Sequence, residues 1–370
     1  MEGGLNHRGR ECVETLRRAA QRAHDEDCEA LFVLGDLFDS TRPSPSLVYE
    51  TMRALTHNVG DMRVVIILGN HDRQSQHDVD HACASASLMP RVQVVTKPTI
   101  VGFKGLDMLC VPYQPGEANE WLTSSLAHFA EVGISRQVRN VVLTHLGIWD
   151  ESTPAFLKAA RDAVGIGHVR WLLDAHKLDG LYAGNWHEFK LWGPRQQTLA
   201  GSVRDNPEVG IPGTICPHNF SDPPGYGRLL VYDSEIGLAR VILTPGPRFV
   251  TLDRIERFET VLDRDIRTLS FESRSYVRVT VGRGDLERAL AARDKIALSD
   301  HSVGIPSGHH YVVQIDVRDS DVRETVRAAA RAAVASGDDL SGYAALAAVV
   351  DPGTPAGVER RLAAYRKEAG

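Results

Sequence analysis

At 370 residues the chain is long enough for one large core and a smaller second domain. Its 43% hydrophobic and 24% charged residues are ordinary for a soluble globular protein. A formal charge of −6 excludes a global basic field that would advertise nucleic acid, though not a local basic groove. Five scattered cysteines without a C-x-x-C pair argue against a zinc knuckle or a disulfide framework and read as reduced thiols. No apolar run reaches the length of a membrane span, and MEGGLNHRGRE lacks the apolar core of a signal peptide, so a cytoplasmic protein away from membranes is expected.

Along the chain, Cys12, Val13, Leu16, Ala19, Ala20 and Ala23 recur at helical spacing over 9–24. ALFVL (30–34) reads as a buried strand ending on Gly35-Asp36, and Pro43-Ser44-Pro45-Ser46 is a start signal for a helix over 46–57. VVIIL (64–68) is a strand buried on both faces that stops on Gly69-Asn70-His71-Asp72. A helix over 78–88, a strand over 106–112, a helix over 117–131 and strands over 140–144 and 178–183 follow. This repeated β-α-β order predicts a layered α/β domain. From about 195 the texture changes, and RLLVYD (228–233) and GLARVIL (238–244) read as antiparallel strands between turn-forming clusters. After Pro245-Gly246-Pro247, strands at 276–281 and 310–317 with helices near 285–296 and at 321–335 predict a small α+β domain. The expected division is 1–250 and 251–370. A closing basic helix reads as a solvated terminus.

Four strand ends carry residues of metal-ligand type: Asp36 with Asp39, Asn70 with His71 and Asp72, His145, and Asn185 with His187. The C-terminal ends of parallel strands are where α/β folds build sites. A mixture of carboxylate, amide oxygen and imidazole suits Mn²⁺, Fe or Zn²⁺. Two such ions about 3.5–4 Å apart, sharing one carboxylate, would activate a water and clamp a phosphate, a recipe for phosphoester hydrolysis. Taken singly, Gly35-Asp36 is a turn and a helix cap, and Thr144-His145 is weaker still. The run Gly69-Asn70-His71-Asp72 after a buried strand is the specific signal.

These motifs, in this order, resemble the signature of calcineurin-like metallophosphoesterases. More narrowly, GDLFDSTRPSPSLVYETMRAL (35–55) and IPGTICPHNFSDPPGYG (211–227) resemble the SbcD-type DNA repair exonucleases, over roughly residues 8–250. The resemblance implies a layered α/β/β/α sandwich and two divalent ions, Mn²⁺ foremost, with Mg²⁺, Fe or Zn²⁺ as alternatives. It also implies DNA as substrate, an SbcC-type SMC-like ATPase partner, and a homodimer. By the same resemblance Asp36 bridges both ions, Asn70 and His145 bind the second, and His187 binds the first. Asn185 stands where the family places a further histidine ligand. His71 would protonate the leaving oxygen. Asp72 reads either as the partner that fixes the His71 imidazole or as a cap for the 78–88 helix. Arg73 is a phosphate contact or a solvated charge, and His218 is a candidate substrate contact. Trp186 and Trp192 are packing or a base-stacking surface. The rival functions are a phosphatase or small-nucleotide phosphodiesterase, and a catalytically impaired DNA-binding subunit.

Two departures stand out. The family's first motif, D-x-H at the end of a first strand, is not found before the first helix, where Leu5 stands two residues ahead of His7. Either the natural start lies upstream, the favoured explanation, or the first metal site is degenerate. Asn185 is the second departure, since an amide oxygen donates less strongly than imidazole. Weak metal binding is the resulting expectation.

Overall fold

The computed structural model describes residues 5–57, 59–73, 81–193, 209–217, 222, 227–235, 238–244, 247–256, 275–292 and 311–317. Two units emerge, Met1–Phe249 and Val250–Gly370. His218, the first three residues of the expected 78–88 helix, and the expected helices at 321–335 and at the end of the chain lie outside the described residues.

The first unit opens with α1 (His7–Asp25), started by Asn6, whose side chain accepts the Gly9 N–H at 2.7 Å. β1 (Ala30–Leu34) leads through the Asp36 loop to α2 (Pro45–Thr56). There Ser44 accepts the Leu47 N–H and Pro45 occupies the first turn, so the proline-serine string is a helix start in the physical sense. β2 (Arg63–Ile67) and β3 (Val92–Val95) complete a parallel sheet of order β1-β2-β3. Ala84–Leu88 forms a short 3-10 turn in place of the end of the expected helix.

A second sheet is built from β4 (Thr99–Phe103), β5 (Leu106–Val111), β6 (Arg139–His145), β9 (Gly180–Gly184), β10 (Lys190–Trp192) and β11 (Val209–Ile211). Interspersed are α3 (Ala118–Val132), β7 (Gly147–Trp149), α4 (Ala155–Lys158), β8 (Ala163–Gly165) and α5 (Ile166–His176). The order is β10-β11-β9-β6-β5-β4, parallel at its centre with antiparallel strands at both edges.

Alternation along β2 assembles the layers. Val64, Ile66 and Leu68 face Met52 and Leu55 of α2, while Val65 and Ile67 face Met108, Cys110, Val141 and Leu143 of the second sheet. On that sheet's far side, Leu109, Val142 and Leu181 pack against Leu122, Leu126 and Phe129 of α3 and Leu172 of α5. The architecture is therefore α/β/β/α, as the family resemblance implies, with β2 buried on both faces.

β1 differs from expectation, because each of its five residues is only half-buried. It is the edge of its sheet and lines a cavity of about 860 Å³. β12 (Gly227–Asp233), hairpinned antiparallel to β13 (Leu238–Thr244), lines the same cavity. In the other unit, β15 (Ser275–Val281) pairs in parallel with β16 (Tyr311–Val317), and β14 (Arg248–Leu252) lies on the opposite side of β15. Val277, Val279 and Val281 form the unit's core with Ile255, Ala289 and Ala292. Among the described residues no helix is long and apolar enough to cross a membrane.

Candidate metal centre

The site lies where β1, β2, β6 and β9 end. Two glycines let these ends meet. Gly35 takes a left-handed φ of 86°, and a Cβ there would fall 2.1 Å from His145 Nδ1. A Cβ on Gly69 would fall 2.2 Å from Asp36 Oδ1. Asp36 itself sits at φ 51°, a region costly for a residue with a side chain and often found at functional sites.

Asp36, Asn70 and His145 converge. His145, buried at the end of β6, donates Nδ1–H to the Leu34 carbonyl at 2.7 Å. That bond leaves Nε2 facing Asn70 Oδ1 at 2.9 Å and Asp36 Oδ2 at 3.2 Å. Three acceptor atoms pointed at one another need a positive charge between them, either a proton on Nε2 or a cation. Neighbouring ligands of an octahedral ion with bonds near 2.1 Å stand about 3.0 Å apart. The spacing and the hard oxygen and imidazole donors both fit a divalent metal. Burial resists charge on both titratable groups, but their pairing outweighs it. Asp36 is therefore held below the usual carboxylate range, helped by the His71 N–H, and His145 is held above the usual imidazole value.

Asp72 corrects an expectation. It is fully buried, and its carboxylate accepts the backbone N–H groups of Asp36 (2.9 Å), Gly69 (2.9 Å) and Phe38 (3.3 Å). Among the described residues it is neither a partner of the His71 ring nor a helix cap but a clasp between the β1 and β2 loops. Burial pushes its carboxyl up and the Gly69 N–H pulls it down, with a net upward shift. His71 is anchored by its backbone N–H to Asp36 Oδ1 at 2.9 Å, while its half-exposed ring meets the Asp39 carbonyl through Nδ1 at 3.4 Å. The Arg73 guanidinium donates to the Thr96 carbonyl just beyond β3.

The β9 end presents Asn185 and His187. Asn185 adopts φ 79°, a turn geometry that asparagine tolerates, and donates Nδ2–H to Asp162 Oδ2 at 2.9 Å. That bond leaves its amide oxygen as the atom available to a cation. His187 Nδ1 pairs with the buried carboxylate of Asp222 at 2.5 Å, an arrangement that orients metal-binding imidazoles. Asp36, His71, His145, Asn185 and His187 all line the 860 Å³ cavity. Trp186 and Trp192 pack against the α3–α5 core, the packing reading of the pair. Sequence reasoning passed over Asp162 and Asp222. Asp222 lies within the 211–227 stretch, so a search there for a carboxylate could have found it; Asp162 carries no local signal.

The fold and the ligand types gathered at these strand ends are those expected of a metal-dependent phosphoesterase. The family model of calcineurin-like phosphoesterases matches residues 6–189, and that part of the chain is a calcineurin-like phosphoesterase domain, of a superfamily of hydrolases that use two divalent metal ions. Among solved structures, a purple acid phosphatase from yellow lupin (Lupinus luteus) seeds is similar at 16% identity and a TM-score of 0.38. The match covers 54% of this chain and only 38% of that one. A search of curated proteins gives no match.

Proposed function

We propose that the chain hydrolyses phosphodiester bonds in DNA in the manner of SbcD-type exonucleases, as a homodimer working with an SbcC-type SMC-like ATPase. The convergence of Asp36, Asn70 and His145 beside the half-exposed His71 is the observation that supports the chemistry. The choice of DNA is supported by the likeness of 35–55 and 211–227 to those nucleases. Bound divalent ions, Mn²⁺ foremost, would supply Lewis-acid charge to the phosphoryl group and an activated water. Asp36, Asn70 and His145 would hold one ion; His187, oriented by Asp222, would serve the other together with Asp36. Asn185 would offer an amide oxygen. His71, fixed by its backbone and free in its outward ring edge, would deliver a proton to the departing sugar oxygen.

Comparing cleavage of linear duplex DNA with that of a small phosphodiester ester in Mn²⁺ tests the substrate. Preferential cleavage of DNA supports the nuclease reading, and turnover of the small ester alone contradicts it.

One observation favours the impaired DNA-binding subunit as a second reading. Among the described residues no three His, Cys, Asp or Glu side chains gather around one point, the site being completed by amide oxygens. On this reading duplex DNA is bound without cleavage, and calorimetry finds weak Mn²⁺ binding only. Two tight Mn²⁺ sites would contradict it.

A further inference from the structure

Two thiols stand apart from the metal chemistry. Cys12 on α1 and Cys216 beyond β11 are 204 residues apart, yet the Cys216 S–H points at Cys12 Sγ across 3.3 Å. Cys12 is half-buried, Cys216 is buried, and both line the cavity that reaches the metal centre. Small solutes entering that cavity therefore meet the pair. Cys83 and Cys110, by contrast, are buried against the Asp72 carboxylate and the Met108 carbonyl. Cys28 lines the same cavity and supplies an internal control.

We propose that Cys12 and Cys216 are a modification site, forming a reversible disulfide that ties α1 to the segment backing His187. The sulfurs need to close from 3.3 Å to about 2.05 Å, a movement of roughly one ångström. Cys216 donates its proton toward Cys12, and that hydrogen bond together with burial pushes the Cys216 thiol far up. Cys12 is thus the sulfur that reacts first and Cys216 the one that resolves. With hydrogen peroxide as oxidant, the Cys12 sulfur attacks one peroxide oxygen, the O–O bond breaks and water leaves, giving a sulfenic acid. The Cys216 sulfur then attacks that sulfur, the S–O bond breaks and a second water departs with the Cys216 proton. Two thiols and one peroxide give one disulfide and two waters. Excess thiol reverses the link by exchange.

The link would act on the site through a short path. The Thr214 N–H donates to the His187 carbonyl at 3.0 Å, and Arg8 on α1 donates to the Pro217 carbonyl at 2.6 Å. The segment between these contacts carries Cys216. Fixing it to α1 removes freedom from the wall behind His187 and closes a long loop in the unfolded chain.

The test uses the full chain, treated with stoichiometric hydrogen peroxide, alkylated, digested without reductant and mapped by mass spectrometry. A peptide joining Cys12 to Cys216 is expected, together with a melting temperature raised by several degrees and restored by dithiothreitol. Cys12→Ser should abolish both effects, and Cys28→Ser should leave both intact, which keeps the test decisive if Cys12→Ser folds poorly. Sulfinic acid on Cys12 without a link, a link from Cys12 to Cys28, or a link between two chains would overturn the proposal.

Discussion

The two ends of the metal centre are built differently. At one end, Asp36 and Asn70 both meet the His145 Nε2 directly across three strand termini, held by the buried Asp72 clasp and the Leu34 carbonyl. At the other, Asn185 and His187 are each held from outside by a carboxylate, Asp162 and Asp222. The first end is a product of the parallel sheets, since His145 stands opposite Gly184 in the β6–β9 register and the glycines let the loops close. The second depends on carboxylates supplied by separate loops, Asp162 and Asp222. Where ligands belong to the sheet ends, geometry follows from the fold; where they follow a turn, an added carboxylate must orient them.

Breaking the first end should have the largest effect. Asp36→Asn removes the shared carboxylate at nearly constant shape, and phosphoester hydrolysis should fall at least about 10³-fold. His145→Ala should cost about 2–3 kcal/mol in metal-free denaturant unfolding, because it strands the partly buried Asp36 carboxylate and the Leu34 carbonyl. At the second end, Asp222→Asn and Asp162→Ala should each lower Mn²⁺ affinity about 10- to 100-fold, read by calorimetry, with the fold intact. Asp162→Ala should have no further effect once Asn185→Ala is present, since one acts through the other; additive losses would break the contrast between the ends.

The smallest effect lies behind the second end. Asp150 accepts from Lys190 (2.7 Å), Trp192 (2.8 Å) and Ser152, and these contacts outweigh burial to hold its carboxyl well below the usual range. A depressed folded value means stability present above the unfolded pKa near ~3.9 and lost as pH falls through the folded one. Asp150→Asn should therefore cost about 1–2 kcal/mol at neutral pH and lessen the acid dependence of unfolding, without altering Mn²⁺ affinity.

Legibility in the sequence follows the same divide. The helices of α1, α2 and α3 and the strands that carry the site show in apolar periodicity, and Gly69-Asn70-His71-Asp72 announces itself because ligand and turn residues are contiguous. Contiguity also misled: Asp72 follows His71 in sequence, yet its side chain turns into the core to clasp the loops while the His71 ring faces solvent. β3, β10 and β11 were too short to read, β4 is interrupted by Gly102, and α5 was hidden by Gly167, His168 and Arg170 within its periodicity. The half-burial of β1 depends on what lies beside a sheet edge, which no run of five residues records. Asp162 and Asp222 act through space on loops 23 and 35 residues away, so no local pattern marks either as a partner.

The decisive measurement is Mn²⁺ binding to the full chain and to Asp36→Asn, followed by calorimetry and by the Mn²⁺ electron paramagnetic resonance signal. Binding that is present in the unsubstituted chain and lost with Asp36→Asn is the expected result. Equal binding by the two proteins would mean that the meeting of Asp36, Asn70 and His145 is not a metal site.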